Sequence, residues 1–344
     1  MKQSFIKFFL FTMIISLLVM IGIFSKIFFT SNTSFKTSSK EIFIPSVDTK
    51  NSAYDSIIFL VDNLNFFRKA AELKKFNPSP GRYILKKGMS NNEIINNLRS
   101  KNKPLNLTFN NKLTIAHFSS HVSNYIEPDS ISIIESFYDK TFLITNNLNK
   151  QNVFSICLPN TYQFFWNTSA NQFRDRMHKE YNKFWNKKRE EARKKINLTR
   201  TEVSILASIV QMESYRNDER KMVAKVYLNR LKKRMRLQAD PTVIFAKRNK
   251  LNNYNLKINR VLYEDLKINS PYNTYMFRGL PPGPICMPDI SSIDAVLFPS
   301  KHNYLYFVAD PFRAGYHNYA TNLISHNKNK KVYTDWLKTK KNSF

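Results

Sequence analysis

The sequence is poor in cysteine, histidine and acidic residues, and each shortage excludes a class of protein. Only two cysteines occur among 344 residues, which excludes a disulfide-stapled scaffold and a four-cysteine zinc site. The six histidines are scattered along the chain without the spacing of a metal cluster. Asp and Glu number 25 against 54 Lys and Arg, so the net charge is +29.

The composition leaves a folded, basic protein with several classes of partner. The hydrophobic fraction of 42% is enough for a packed core, and the length suits about two domains. The positive charge is compatible with nucleic acid, anionic lipid or cell wall, and it does not choose among them. A codon bias that enriches Lys, Asn, Ile and Phe explains the same composition without any partner. RNA-recognition signatures and zinc-finger patterns are absent from the sequence.

The N-terminal segment predicts the compartment. Residues 8–24 carry no charge, and a run of this kind can cross the hydrocarbon layer as one helix. Lys2 and Lys7 precede the run, so the positive-inside rule places the N-terminus in the cytoplasm. A cleaved signal peptide is the main alternative, but it usually ends in small residues, where this chain has Phe28. We therefore predict an uncleaved transmembrane anchor in residues 1–30, with the rest of the chain outside the membrane and no nucleic-acid partner.

The segment after the anchor is typical of a tether followed by a small α+β module. Residues 31–40 are rich in Ser, Thr and Lys, which suits a solvated linker. The apolar pattern of residues 56–76 predicts a helix or a helix pair, and Ser90 with Glu93 has capping-box spacing. The alternative is that this module is only a spacer. An Asn-rich stretch, residues 146–152, marks the predicted domain boundary.

A helix that starts near residue 200 carries the strongest candidate for chemistry. Thr199 and Glu202 again have capping-box spacing, which marks the helix start. Offsets of three, four and seven residues place Glu213 on the same face as an apolar stripe. Gln211 lies off this face and cannot ionise. The stripe consists of Leu206, Ile209 and Val210.

Two environments are open to the carboxylate of Glu213. In the first, it forms an ordinary ion pair at a helix end with Arg216 or Arg220. In the second, it is partly desolvated among apolar neighbours, which raises its pKa. A raised pKa is what a general acid needs near neutral pH. Spacing alone does not decide between the structural and the catalytic role.

Further segments complete the predicted catalytic domain. Asn217 is the expected N-cap of a second helix, and the Pro241 ring is expected to force Asp240 out of helical geometry. A proline-rich stretch, residues 270–288, is either the wall of a groove for a polar, ring-shaped ligand or a structural loop. Residues 304–310 alternate like a buried strand. The polar loop expected after this strand holds His317, Asn322, His326 and Asn327.

Five motifs occur in an order that matches a known family. They are ASIVQMES (207–214), NRLKKRMRLQADPTV (229–243), SPYNTYMFRGLPPGPI (270–285), YLYFVAD (304–310) and TNLISHN (321–327). Together they resemble the YceG-like family, the endolytic murein transglycosylases of the MltG type, over essentially the whole chain. The resemblance implies an α+β fold with three parts. These are an N-terminal transmembrane helix in residues 1–30, a small LysM-like α+β module in residues 31–150, and a mixed α+β catalytic domain in residues 151–344.

The resemblance also implies a reaction. Family members are carbon–oxygen lyases that cut inside peptidoglycan strands, between N-acetylmuramic acid and N-acetylglucosamine. Their catalytic acid is the second position of a Glu-x-Glu pair, which maps onto Glu213, while Gln211 stands at the first position. This departure spares the proposed catalyst. Three further positions depart from the family pattern, and they concern local binding and not the reaction. They are Asn160, where Asp is frequent in the family, Cys286 and Asp289.

The implied mechanism needs one carboxyl group. Protonated Glu213 would donate to the glycosidic oxygen, and the muramic 6-hydroxyl would attack and close a 1,6-anhydro ring with Glu213 as the base. An internal nucleophile removes the need for a second carboxylate, and no metal or cofactor is required. Contacts with the substrate groove are expected from seven residues, by motif match and polar character. They are Gln238, Asp240, Tyr272, Asn273, Tyr306, Asn322 and His326.

Other functions remain open at this point. A non-catalytic peptidoglycan-binding scaffold would use the LysM-like module and the positive surface, with Glu213 as a structural residue. A water-using hydrolase would need Asp240 or Glu219 as its second carboxylate, and Glu219 suits a structural role in a first helical turn better. A cytoplasmic nucleic-acid binder would require the N-terminal run to be a core helix. For the enzyme, we expect the cell-wall synthesis machinery as a partner, and we expect the chain to fold and act without residues 1–30.

Overall fold

The structure is a computed structural model that describes residues 2–341. The chain is mixed α+β, as predicted, and its contacts divide it into two compact units. Unit 1 runs through Leu107 and adds Tyr125–Pro128 and Tyr162–Ser169. Unit 2 comprises Thr108–Asn124, Asp129–Thr161 and the chain from Ala170 onward. The domain boundary near residue 150 and the likeness of the first module to LysM stay predictions.

The first helix, α1 (Lys2–Phe28), is long and apolar enough to cross a membrane. Its apolar side chains are exposed along almost the whole helix, which suits a membrane span and equally suits a signal sequence. The end of α1 belongs to the folded unit. Phe28 is buried in its core, and the Asn91 side-chain amide donates to the Ile27 carbonyl at 2.7 Å. Removing residues 1–30 therefore also removes core contacts, and a cut before Ile27 is the one that spares them.

Unit 1 surrounds a two-stranded antiparallel sheet with short helices. The strands pair in a register that begins at Ser39↔Lys86. Within residues 56–76, where a helix or a helix pair was expected, the structure has one helix at Leu64–Leu73 and the last two residues of a helix that begins at Thr49. Ser90 and Glu93 form the expected capping box. Residues of both strands and all three helices that follow α1 contribute to one apolar core. The elements are β1 (Ser39–Ile44), α2 (Thr49–Ile57), α3 (Leu64–Leu73), β2 (Gly81–Lys86) and α4 (Asn91–Ser100).

Unit 2 is mainly helical. The second two-stranded sheet of the chain, formed by β3 (Leu105–Phe109) and β4 (Asn160–Phe164), has residues that belong to both units. A third, antiparallel sheet is formed by β5 (Tyr306–Ala309) and β6 (His317–Ala320). The helices are α5 (Ile115–Val122), α6 (Ser130–Phe137), α7 (Lys140–Thr145), α8 (Ala170–Phe184), α9 (Lys187–Ile196), α10 (Arg200–Glu213), α11 (Arg220–Lys232), α12 (Asp240–Lys250), α13 (Ile290–Leu297) and α14 (Leu323–Lys341), with 3-10 turns at Val153–Ile156 and Asp265–Lys267.

Helix α10 lies at the centre of unit 2. It starts at the predicted capping box of Thr199 and Glu202, and every residue from Val203 to Gln211 is buried. Helices α11, α12 and α13 all pack against it. The sequence correctly predicted that Leu206, Ile209 and Val210 are buried. The helix is buried on its other faces as well, which a single apolar stripe did not predict. The Gln211 side chain is part of this packing, because its carbonyl oxygen accepts hydrogen bonds from the Asp289 amide and the Ser292 hydroxyl.

Three local expectations were wrong. The second helix begins at Arg220 and not at Asn217, and no side chain caps it. Asp240 is the first residue of α12, because proline is tolerated in a first helical turn, where its missing N–H has no partner to lose. The polar residues after β5 do not share a loop. His317 lies on β6, Asn322 directly precedes α14, and His326 and Asn327 lie on α14.

Candidate active site

Glu213 is the last residue of α10, where the buried helix reaches a partly exposed surface. Its carboxylate accepts a hydrogen bond from the Tyr227 hydroxyl at 2.7 Å. Burial raises the pKa of Glu213 to about 7, the Tyr227 hydrogen bond opposes that rise, and the charge of Asp240 adds to it. His317 and Arg230 lower the pKa by smaller amounts. The group is therefore a carboxylic acid that ionises near neutral pH.

The ion pairs that would make Glu213 an ordinary structural residue do not form. The Arg216 guanidinium donates to the Tyr316 hydroxyl. The Arg220 guanidinium is buried and donates to the main-chain oxygen of Ser214 at 3.0 Å. Neither arginine contacts Glu213 within residues 2–341. Of the two environments left open by the sequence, the partly desolvated one is observed.

Tyr227 is a hydrogen-bond partner of Glu213 that no sequence pattern identified. It lies on α11 and is 1% exposed, and its aromatic ring is part of the core. The hydroxyl at the end of that ring is nonetheless the hydrogen-bond donor to Glu213. Burial raises the pKa of the Tyr227 phenol well above its ordinary value, so the phenol keeps its proton and remains a donor.

Asp240 and Tyr275 form a second polar pair beside Glu213. The Tyr275 hydroxyl donates to Asp240 at 2.6 Å, and Asp240 itself is exposed at the start of α12. The residue before Asp240 is hydrogen-bonded to the proline-rich segment, since the Ala239 amide donates to the Thr274 hydroxyl at 3.0 Å. Burial raises the pKa of Tyr275, and the adjacent carboxylate raises it further. Asp240 also acts electrostatically on Glu213, because its charge contributes to the raised pKa of that carboxyl group.

Glu219, six residues after Glu213, has a different environment. It is 4% exposed, and it accepts hydrogen bonds from the His317 amide at 2.7 Å and from the His317 ring at 2.9 Å. The Ser214 hydroxyl donates to the same carboxylate at 3.2 Å. Burial works to raise the pKa of Glu219, but the His317 hydrogen bonds and charge outweigh it, and the pKa is lowered overall. Glu219 therefore ties the loop after α10 to β6.

Two predicted groove residues in the proline-rich segment lie inside the loop. Asn273 is fully buried, and its amide donates to the carbonyls of Leu266 and Ile268. Tyr272 is 9% exposed, and burial raises its pKa to about 12. Both side chains shape the loop, which corrects the expectation that Asn273 contacts a ligand directly. Of the two roles considered for residues 270–288, the structural one is observed at these positions.

The remaining predicted contacts are placed in three ways. Tyr306 on β5 stacks on His326 of α14 with ring centroids 5.2 Å apart, and the Arg230 guanidinium lies 5.4 Å from the Tyr306 ring. Arg230 also acts electrostatically on Glu213. Gln238 is exposed with a left-handed backbone, φ 49°. Asn322 accepts from the Ser325 amide at 2.9 Å as a helix cap, which gives it a structural role.

The described residues hold no group of three or more His, Cys, Asp or Glu side chains arranged for a metal ion. Cys157 and Cys286 are both buried as free thiols. The chemistry that the Glu213 environment supports is proton transfer by a carboxylic acid that accepts a hydrogen bond from a phenol and is acted on by the charge of Asp240.

Three comparisons with known proteins agree on one family. The profile of the YceG-like family matches residues 56–332. An endolytic murein transglycosylase of Bacillus subtilis (strain 168) is 32% identical over 270 residues, which are 74% of this chain and 72% of the relative. A protein of the same name from Streptococcus pneumoniae (strain D39) is 37% identical over 133 residues, which are 39% of this chain and only 24% of that relative. The crystal structure of a YceG-like protein from Listeria monocytogenes is 26% identical, with a TM-score of 0.55 over 85% of this chain and 98% of that one.

Proposed function

This chain belongs to the YceG-like family, and from that premise we propose that it is a membrane-anchored, endolytic lytic transglycosylase of peptidoglycan with Glu213 as its acid and base. The class of enzyme is a carbon–oxygen lyase, and its substrate is the glycan strand of the cell wall. We propose cleavage between N-acetylmuramic acid and N-acetylglucosamine within the strand, which leaves 1,6-anhydro-muramic ends. One observation carries the assignment. It is the partly buried Glu213 carboxyl, whose pKa is about 7.

In the first step, Glu213 donates its proton to the glycosidic oxygen as positive charge develops at the muramic anomeric carbon. A pKa of about 7 leaves about half of the molecules protonated at neutral pH, which suits a general acid. The Tyr227 hydroxyl donates to one oxygen of the carboxyl group at 2.7 Å. That oxygen is the acceptor, so the acidic proton is directed to the other oxygen. Tyr227 therefore positions the acid.

In the second step, the muramic 6-hydroxyl attacks the anomeric carbon, and its proton goes to the Glu213 carboxylate. The nucleophile belongs to the same sugar, and effective molarities of roughly 10⁵ to 10⁸ M are reached in favourable intramolecular reactions. Glu213 thereby returns to its protonated form. A second carboxylate is not needed to activate water, which is the task it has in an inverting glycosidase.

The membrane arrangement is part of the proposal. Helix α1 would anchor the chain, with Lys2 and Lys7 on the cytoplasmic side and both units outside. Such tethering would hold the acid near newly made strands, which are also the place where a wall-synthesis partner would meet it. Protease protection of an N-terminal tag in intact cells tests the orientation. Release of the protein into the medium would instead indicate a signal sequence.

The test of the reaction compares the parent chain with Glu213→Gln and with the control Glu191→Gln, an exposed glutamate on α9. Each is incubated with purified peptidoglycan, and the products are read by mass spectrometry. We expect anhydro-ended products from the parent and from the control only. Products with reducing ends would identify a hydrolase, with Asp240 as the next residue to test. Equal product yields from parent and Glu213→Gln would remove Glu213 as the catalyst.

A further inference from the structure

A large cavity in the described part of unit 2 is not lined by Glu213. It is a groove of about 1290 Å³ between the first half of α10, helices α8, α9 and α11, and the loops at residues 146–152 and 279–282. We refer to it as the basic groove. Volumes of several hundred Å³ already accommodate drug-sized ligands. The groove is therefore large enough for a peptide of a few residues.

The basic groove and Glu213 lie at different places on helices α10 and α11. Glu213 ends α10 and the groove lies at its start, and the 14 residues of this helix place the ends about 20 Å apart. On α11, Lys225 and Lys232 are seven residues apart and share one face, which lines the groove. Tyr227 on the same helix points to Glu213 instead. The groove and Glu213 thus use opposite ends of α10 and different faces of α11.

The groove carries uncompensated positive charge. Five Lys and Arg side chains line it against one carboxylate, that of Glu202, which is engaged in the cap of α10. Both arginines, Arg193 and Arg200, form ion pairs with one carboxylate outside the lining, Glu190, at 2.8 Å and 2.6 Å. The lysines have no such partner. In residues 2–341, no hydrogen bond or ion pair involves the ammonium groups of Lys195, Lys225 or Lys232.

The floor of the groove is apolar. Aliphatic side chains such as Ile205, Leu228 and Leu231 line it, together with three prolines and one ring of the Phe, Tyr or Trp type, that of Tyr181. A phosphodiester polymer gains nothing from such a floor, and a bare sugar chain is usually bound by aromatic faces. A short peptide with methyl side chains and free carboxylates suits both the floor and the lysines. Side-chain amides around the rim, including Asn147 and Asn197, add hydrogen-bonding groups for a peptide backbone.

We propose that the basic groove binds the carboxylate-bearing peptide stems of peptidoglycan, at a point along the strand remote from the bond that is cut. The inference rests on the proposed function, because it takes the glycan strand as the substrate. The lysines hold peptide carboxylates, and the aliphatic floor covers the alanine methyl groups. A strand held at both places is bound within its length and not by its end.

Binding of glycan strands to the full chain in detergent micelles tests this proposal. The Glu213→Gln background keeps the strands intact during the measurement. Lys195→Glu with Lys232→Glu reverses two exposed groove charges, and Lys183→Glu with Lys187→Glu reverses two exposed charges outside the groove. The ligands are uncross-linked strands with peptides, the same strands after removal of the peptides, and a glycerol-phosphate polymer. Thermal unfolding checks that each variant is folded.

We expect the groove variant to bind peptide-bearing strands about tenfold more weakly, the size of one lost charge-assisted hydrogen bond. Its affinity for stripped strands should equal that of the parent, the outside pair should lose little, and replacement of both lysines by arginine should restore binding. A groove variant that binds peptide-bearing strands as the parent does would overturn the proposal. So would a loss confined to the phosphate polymer. Strand cleavage by the Glu213→Gln background would count against the proposed function and not against the groove.

Discussion

The pKa values of Glu213 and Glu219 differ in a way that exposed surface area does not explain. Glu219 is the more buried by surface area, yet its pKa is lowered, while the pKa of Glu213 is raised to about 7. Glu219 accepts from a main-chain amide, an imidazole and a hydroxyl. Glu213 accepts from one phenol and is near another carboxylate. The number and charge of the donors decide which buried carboxyl group keeps its proton.

The two carboxyl groups show how hydrogen-bond donors distinguish a structural role from a proposed catalytic role. A carboxylate with several donors links segments and stays ionised, as Glu219 links the loop after α10 to β6. A carboxyl group with one neutral donor is left with a proton to give. The chain therefore places a structural and a proposed catalytic carboxyl group within seven residues of each other, and different measurements distinguish them.

The largest expected effect is on activity. Glu213→Gln removes the proton donor and should reduce the rate of strand cleavage by about 10²- to 10⁴-fold, the usual contribution of general acid–base catalysis. Glu219→Gln should retain a measurable rate whenever it folds, because its loss affects the loop and not the proton. Anhydro-product formation per minute, measured for both variants, gives the ratio. A larger loss for Glu219→Gln in a folded protein would reverse the assignment.

The second effect is on stability and has opposite signs for the two residues. The pKa of Glu213 rises from an ordinary 4.5 to about 7 on folding, so its protonated form stabilises the fold below pH 4.5, and this stabilisation is lost as the pH rises through about 7. The size is about 3 kcal/mol. For Glu219, stabilisation is present above its unfolded pKa and is lost in acid, as the pH falls through its lowered folded pKa.

Urea unfolding of a chain that begins at Ile27, at pH 4.5 and pH 8, measures this difference. Glu213→Gln should gain up to about 3 kcal/mol relative to the parent between the lower and the higher pH. The exposed control Glu191→Gln should gain nothing. A parent and a Glu213→Gln variant with parallel pH profiles would show that Glu213 titrates normally in the folded chain.

A smaller effect is expected from Tyr227→Phe. The phenol donates to the ionised form of Glu213, so its removal should raise the pKa of Glu213 further and move the alkaline limb of activity to higher pH. The maximal rate should fall by up to about tenfold, the value of one hydrogen bond. Tyr263→Phe, at an 85% exposed position, is the control. A structural role alone would lower stability without moving the pH profile.

The smallest effect is expected from Asp240→Asn. Asp240 is exposed, so water screens its charge, but that charge still raises the pKa of Glu213. The substitution should move the alkaline limb of activity to lower pH, opposite to Tyr227→Phe. The control Asp55→Asn, on α2 of unit 1, should leave the profile unchanged. A shift to higher pH would contradict the electrostatic role given to Asp240.

Local signals made parts of this molecule predictable from the sequence. Both capping boxes, at Ser90 and Thr199, were confirmed because a cap depends on residues three positions apart. The placement of Glu213 at the end of an apolar face followed from helical periodicity. The expected cap at Asn217 was wrong because Glu219 and its distant partner His317 fix that turn instead. Local propensity does not contain such a partner.

The partners of the acid were beyond sequence patterns for the same reason. In the sequence, Tyr227 has the pattern of an aromatic core residue. Its hydroxyl reaches Glu213 because α11 packs on α10. The two phenols at the site, Tyr227 and Tyr275, are 14 and 62 positions from Glu213 along the chain. Asn273 was misjudged because an amide in a polar loop looks available, whereas two main-chain carbonyls occupy it. The roles of the other groove residues stay predictions.

The ionisation of Glu213 itself is the most direct test of the central claim. A ¹³C NMR titration of side-chain carboxyl groups, with the Glu213 signal assigned by its absence in Glu213→Gln, reports this pKa without a substrate. We predict a midpoint of about pH 7. A midpoint at or below the ordinary value of 4.5 would show an anion at neutral pH with no proton to donate, and would contradict the catalytic role.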